Sequence, residues 1–346
     1  MTPSEIADDF SATLFADTNV LAVLLVGSLS RGIQPYGADV DLAIFHRTPQ
    51  EPNFYCERIG DVKVSVERYH ADLPEHRGFF FDLKHLREVG RFTNGLILHS
   101  RWESFPSVLT DWKRAELAPD AAKVMFETAH RGLEPRSLRD SSSLQERLWM
   151  LQSAGEALTI LALSMSPARY QKPKWVMQDL RVAGYPQLLG ELRRLFGITN
   201  TNRSVAKRIS ARSRSFLEQG CELGGFPRGL ARADDFGHDY AYVRRTFIDA
   251  ENLLADGDFE GSTYSSLISL RLMFTLLSQA LPGHRRPLNS ELRDWRDRAL
   301  AALIPTPLAD DAGLTSTAES LRETGRRLLH EYKTRIEMLY DAYHKA

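Results

Sequence analysis

The chain has 346 residues, 43% hydrophobic and 26% charged, an ordinary globular composition with room for one or two domains. Its 44 Lys and Arg stand against 45 Asp and Glu, and this formal charge of −1 argues against a partner such as long nucleic acid gripped through a basic face. Two distant cysteines, Cys56 and Cys221, show neither disulfide-framework nor metal-ligand spacing, and no apolar run approaches the roughly 20 residues that span a bilayer.

The first residues, MTPSEIADDF, lack the basic start and apolar core of a signal peptide, so a soluble cytoplasmic protein is expected. Ile6, Phe10, Leu14 and Phe15 recur at helical spacing and predict a helix over 4–18. Leu21 to Val26 is a short continuous apolar run, the pattern of a buried strand, and Val40 to Phe45 gives a second. Val62, Val64 and Val66 alternate with Lys63, Ser65 and Glu67, as in a half-buried third strand. Residues 82–90 read as helical, and Leu96 to Leu98 as a brief extended piece.

From about residue 119 the texture becomes helix after helix. Leu144, Leu148, Leu151, Leu158 and Ala162 step by threes, fours and sevens, as do Leu267, Leu270, Phe274, Leu277 and Leu281. Arg271 is the only charge between Ser262 and Leu281, so that helix is expected to be buried nearly all round. Leu321, Leu328, Tyr332, Ile336, Leu339 and Tyr343 mark an amphipathic closing helix. Proline and glycine near 223–229, 282–287 and 305–307 punctuate the series. Trp149 and Trp175 read as core, the basic run Arg203, Lys207, Arg208, Arg212 and Arg214 as a solvated helix face, and Glu146 and Glu156 as surface acids. The ten histidines show no ligand spacing.

The segment with the most chemistry is LLVGSLSRGIQPYGADVDLAIF, residues 24–45. Asp39 and Asp41 are two apart at a strand start, so they share one face while Val40 turns to the other. Two carboxylates so placed repel, and a hard divalent cation such as Mg²⁺ relieves the cost while leaving coordination positions for substrate phosphates. Upstream, Gly27 permits a tight turn, and Ser28 with nearby backbone N–H groups suits phosphate oxygens, with Arg31 one turn away to add charge.

Gly27-Ser28-Leu29-Ser30-Arg31-Gly32 followed by Asp39-Val40-Asp41 resembles the signature of the DNA polymerase beta-like nucleotidyltransferase superfamily, closest to its small-molecule, aminoglycoside-type adenylyltransferases. The signature covers residues 24–45, and the fold resemblance reaches to about 110. It departs at Ala38, where relatives often carry serine. The resemblance implies a small mixed sheet with flanking helices, two Mg²⁺ ions, and transfer of a nucleoside monophosphate to a hydroxyl with release of pyrophosphate. It also implies a third carboxylate from a neighbouring strand. Glu67 is the acid placed for this, as metal ligand or general base, with Asp61 the weaker choice. Relatives bring a basic residue of the helical domain onto the triphosphate, and Lys172 and Lys174, flanking Pro173 at a helix start, match that role.

The expectation is therefore an α+β chain: a nucleotidyltransferase domain over 1–115 and an all-α substrate-binding domain over 116–346. It would transfer AMP from MgATP to a small-molecule hydroxyl, an antibiotic or a biosynthetic intermediate. Asp39, Asp41 and Glu67 would be the catalytic and metal set, and Gly27, Ser28, Arg31, Lys172 and Lys174 would hold phosphate. The rivals are transfer to a protein or tRNA, and a non-catalytic nucleotide-binding regulator on the same scaffold.

Overall fold

The computed structural model describes residues 1–32, 39–48, 54–71, 80–82, 86–134, 143–166, 172–226, 238–280, 290–303 and 311–345. Ala38 and the punctuating segments at 282–287 and 305–307 lie outside them. The chain is α+β, as expected, with a mixed sheet near the amino terminus and helices after it. It divides into two compact units, one of Met1–Lys123, Leu163–Gln171 and Tyr332–Ala346, the other of Val124–Ala162 and Lys172–Glu331.

The first unit is built on a five-stranded sheet in the order β3-β4-β2-β1-β6. The strands are β1 (Val20–Val26), β2 (Val40–His46), β3 (Phe54–Ile59), β4 (Val62–His70) and β6 (Leu96–Ser100). β1 runs antiparallel to β2 and β6, β2 parallel to β4, and β3 closes a hairpin back onto β4. A further two-residue pair joins β5 (Phe80–Phe81) to β7 (Glu116–Leu117).

Both faces of the sheet are covered, which is why β1 and β2 are apolar at nearly every position. On one face Val23, Leu25, Val40, Leu42, Ile44, Val64 and Val66 pack with Ile6 and Ala7 of helix α1 (Pro3–Phe15). On the other, Ala22, Leu24, Val26, Ala43 and Phe45 meet Phe92 of α2 (Leu86–Thr93) and Phe105, Leu109 and Trp112 of α3 (Phe105–Arg114). α1 begins with a capping box, Thr2 accepting from the Glu5 N–H and Glu5 accepting from that of Thr2. Arg101 secures its other end, donating to the carbonyls of Asp17 and Val20 with its guanidinium over the Phe15 ring.

His46 closes β2, 3% exposed, with both ring nitrogens buried and without a hydrogen-bond partner among the described residues. Burial pushes its imidazole below the ordinary value, Arg68 adds to the shift and Asp17 opposes it. A neutral ring is therefore favoured in the fold, whereas the unfolded chain takes up a proton near the ordinary pKa of about 6.5. Stability associated with this group is present above that value and is lost as pH falls through the lower folded value. His46→Leu should flatten the loss of stability on acidification from about pH 8 to about pH 5, read as urea midpoints at several pH values.

The second unit is helical. Its elements include most of α4 (Pro119–Leu133), most of α5 (Leu144–Ser164), α6 (Val176–Val182), α7 (Pro186–Leu195), α8 (Arg203–Gly224), α9 (His238–Asp256), α10 (Phe259–Ala280), α11 (Ser290–Leu303) and most of α12 (Asp311–Lys345). α10 packs against α8, α9 and α11 and is buried on nearly every side, as its apolar sequence requires. The Arg203–Arg214 run is exposed along α8, and Trp175 is buried, both as expected.

Arg271, the one charge of α10 beyond Glu260 in its first turn, is 8% exposed. It donates to Glu156 (2.6 Å), Gln152 (3.1 Å) and Ser153 (2.6 Å) on α5, and its guanidinium lies 4.1 Å from the Trp149 ring centre. Glu156 is thus a structural partner rather than the surface acid expected. Burial pushes its carboxyl up, and the guanidinium draws it back. Arg271→Leu should destabilise the protein by about 3–5 kcal/mol in denaturant unfolding, because Glu156 is left uncompensated, and adding Glu156→Leu should recover a large part of that.

Candidate active site

β1 ends at Val26, whose partner across the antiparallel ladder is Asp41. The chain then turns through Gly27, at φ +80°, into a short 3₁₀ turn over Leu29–Arg31 that closes on Gly32. A side chain is disfavoured at Gly27 for two reasons. The left-handed backbone strains any residue with a Cβ. That Cβ would also stand 2.5 Å from Asp41 Oδ2. The turn is therefore pressed directly against the second aspartate. Ser28 is 8% exposed and begins the 3₁₀ turn without using its hydroxyl as a cap. Ser30 Oγ donates to the Gly27 carbonyl at 3.0 Å and braces the turn from within, and Arg31 is half-buried at its end.

Asp41, Ala43 and Phe45 lie on the sheet face that carries α2 and α3. In the parallel ladder with β4 their partners are Ser65, Glu67 and Tyr69, so Glu67 shares that face one strand away and two residues further along. Asp39 precedes the strand, and its Oδ2 is 3.6 Å from Lys63 Nζ with both side chains well exposed. Such an exposed pair is weakly held, contributing about 0–1 kcal/mol.

Glu67 is held quite differently. Its Oε2 accepts the Tyr69 hydroxyl at 2.5 Å and also an N–H of Arg91, a residue of α2 that is 5% exposed. Burial works against the Arg91 charge, but the negative potential of the Glu67 carboxylate, with Asp41 adding to it, outweighs it and holds the guanidinium above its ordinary value. Burial likewise pushes the Tyr69 phenol up, with Glu67 adding to the shift and Arg91 opposing it. Arg91 is the site residue that the sequence reading missed. Its signal was available only as an arginine one position before the buried Phe92 on a short helix.

Among the described residues, no three Asp, Glu, His or Cys side chains are grouped closely enough to hold a metal by themselves. The donors of Asp39 and Asp41 are nevertheless of the right kind for Mg²⁺, two hard carboxylates at one strand start with substrate oxygens to complete the shell. The missing Cβ at Gly27 keeps the approach to Asp41 clear.

Lys172 and Lys174 lie in the second unit, around a 3₁₀ turn over Pro173–Trp175 that leads into α6. Lys172 caps the turn with extended backbone, and Lys174 Nζ pairs with Asp249 Oδ1 at 2.9 Å beside the Trp175 ring. A cavity in the same unit, lined by Trp149, Leu267, Arg271, Trp295 and Arg296, encloses about 20 Å³, room for roughly one water.

No protein-family model matches this chain, and no curated protein matches it. Among solved structures it is similar to a nucleotidyltransferase-like protein from Exiguobacterium sibiricum 255-15, known from a crystal structure at 1.90 Å resolution. The alignment covers 86% of this chain and 88% of that one, at 12% identity and a TM-score of 0.33. A likeness this distant assigns no chemistry to individual side chains.

Gly27→Ala tests the close approach. It should lower stability by about 1–3 kcal/mol through backbone strain and displacement of the Asp41 carboxylate, and weaken Mn²⁺ binding in parallel. Urea unfolding and a Mn²⁺ titration of the same preparation measure the two effects.

Proposed function

We propose that the chain is a nucleotidyltransferase that moves a nucleoside monophosphate from a nucleoside triphosphate, ATP being the expected donor, to a hydroxyl of a small molecule. The observation that carries this reading is the close approach of Asp41 to the Gly27 turn, where a Cβ would stand 2.5 Å from Asp41 Oδ2. It joins a phosphate-sized turn to a pair of strand-start carboxylates, and transfer of a phosphoryl group uses both features at once.

In this reading Asp39 and Asp41 hold Mg²⁺. When bound, the ion would neutralise phosphate charge and polarise the reacting phosphorus centre. The Gly27–Gly32 turn, with the Ser28 hydroxyl and the Arg31 guanidinium, binds the outer phosphates and fixes the direction of departure. The acceptor oxygen bonds to the α-phosphorus as the bond from that phosphorus to the bridging oxygen breaks. Pyrophosphate leaves with the electron pair, and the hydroxyl proton passes to solvent or a nearby base. Positioning and charge stabilisation account for most of the rate in such a transfer, so the rigid strand-and-turn frame is the main contribution of the chain.

The near-zero net charge favours a small acceptor over RNA. Asp39→Asn and Asp41→Asn should each reduce Mg²⁺-dependent pyrophosphate release from ATP by about a hundredfold or more, with the far-ultraviolet circular dichroism unchanged. Wild-type release by both variants would sink the assignment. Incubation with ATP and a metabolite pool, followed by a search for a mass gain of one nucleotide, identifies the acceptor. The same gain appearing only on added protein or tRNA would replace the small molecule with a macromolecule.

A further inference from the structure

Four strands cross the site face in the order β3, β4, β2, β1, and their ladders set the side chains of that face in rows. One row runs Cys56, Ser65, Asp41 and Val26. The next, two residues away on each strand, holds Arg58 of β3 directly opposite Lys63 of β4. It reaches Asp39 through Lys63 Nζ, 3.6 Å from Asp39 Oδ2. The side of the aspartate pair away from the Gly27 turn is therefore cationic. Glu57 lies between Cys56 and Arg58 but faces the other side of the sheet with its partner Val64. Asp61, in the hairpin turn, is exposed and pairs with neither cation. Arg58 is exposed and has no carboxylate partner among the described residues. Like charges directly opposite each other disfavour a hairpin, and an anion bound at this corner would relieve that cost.

We propose that Arg58 and Lys63 are the anion-recognising side of the acceptor site, and that the acceptor carries a carboxylate or phosphate close to its reacting hydroxyl. This rests on the nucleotidyl-transfer reading of Asp39 and Asp41 and names the substrate class for it. In an in-line displacement the entering and leaving oxygens stand on opposite sides of the phosphorus. With the turn after β1 holding the departing pyrophosphate, the acceptor enters from the β4 and β3 side, over Ser65 and Cys56. Cβ atoms of opposite residues stand about 5 Å apart, so the lysine and the arginine can reach one anion together. The guanidinium offers two parallel N–H donors to carboxylate or phosphate oxygens, and the ammonium adds a point charge. A cationic acceptor such as an aminoglycoside would meet repulsion at the same place.

The test is equilibrium binding to the full-length chain, read by ligand-observed NMR, with Mg²⁺ and α,β-methylene-ATP present on the donor side. The probes are glycerol, glycerate, glycerol 3-phosphate and kanamycin: a neutral, a carboxylate, a phosphate and a cationic hydroxyl compound. At least one of the two anions should bind roughly tenfold or more tightly than glycerol, and the tighter one identifies the anionic group. Arg58→Gln and Lys63→Gln should each weaken that anion about tenfold, and Arg58→Lys should retain most of the affinity. Arg58→Gln should also leave the thermal midpoint unchanged or raise it, since it removes one of two opposed like charges. A merely structural arginine would lower midpoint and affinity together. Anions bound no better than glycerol, or kanamycin bound in preference, would overturn the inference. So would anion binding lost on Arg31→Gln but kept by Arg58→Gln, which places the anion at the Gly27–Gly32 turn. Each of these leaves the transferase reading intact; that reading falls instead if Asp39→Asn and Asp41→Asn release pyrophosphate as wild type does.

Discussion

The site depends on the register of β1 against β2, which seats Val26 opposite Asp41 and brings Gly27 onto the carboxylate. A slip of one residue would turn every side chain of β1 to the opposite face of the sheet. Both faces oppose this. Val23 and Leu25 are committed to the cluster under α1, and Ala22, Leu24 and Val26 to the cluster under α2 and α3. The apolar core thus sets the distance between turn and carboxylate, and a core substitution far from Asp41 acts on the chemistry through this register.

The charges of the site differ in how firmly they are held. Asp39 with Lys63 is an exposed contact that water and salt compete with readily. Glu67 with Arg91 is largely buried, hydrogen-bonded and joined by Tyr69, so breaking it leaves a charge in a poor environment. The same kinds of residue therefore form one exposed contact and one buried pair that belongs to the frame.

This division explains what was legible in the sequence. β1 and β2 declare themselves as apolar runs because both faces are covered, and the Gly-Ser turn and Asp-Val-Asp sit at their ends, where spacing alone gives side-chain direction. β3 was not recognised, because FYCERI lies at a sheet edge with most of its side chains exposed, and no alternation survives there. What formed it is the hairpin with β4 through Gly60, at φ +60°. β4 was expected to be half-buried, yet Ser65 is as buried as the valines beside it, since its partner across the ladder is Asp41 on the site face. Arg91 could not be recovered, because an arginine on a short helix reads as solvent-facing and its partner lies 24 residues earlier on a strand.

Arg271 in the second unit repeats the lesson with a different outcome. As the only charge between Ser262 and Leu281 it is visible as an anomaly, while its partner Glu156 resembles any surface glutamate. In both units a buried guanidinium pairs with one carboxylate, and neighbours complete the pair: the Tyr69 hydroxyl donates to Glu67, and Gln152 and Ser153 accept from Arg271. The setting of each of these two acids thus depends on the buried arginine that meets it. Residue type and spacing identify the acids, but the burial of the opposing cation is set by tertiary packing that neither of them shows. Glu67, met by the buried Arg91 and by Tyr69, is in this respect the counterpart of Glu156 on α5.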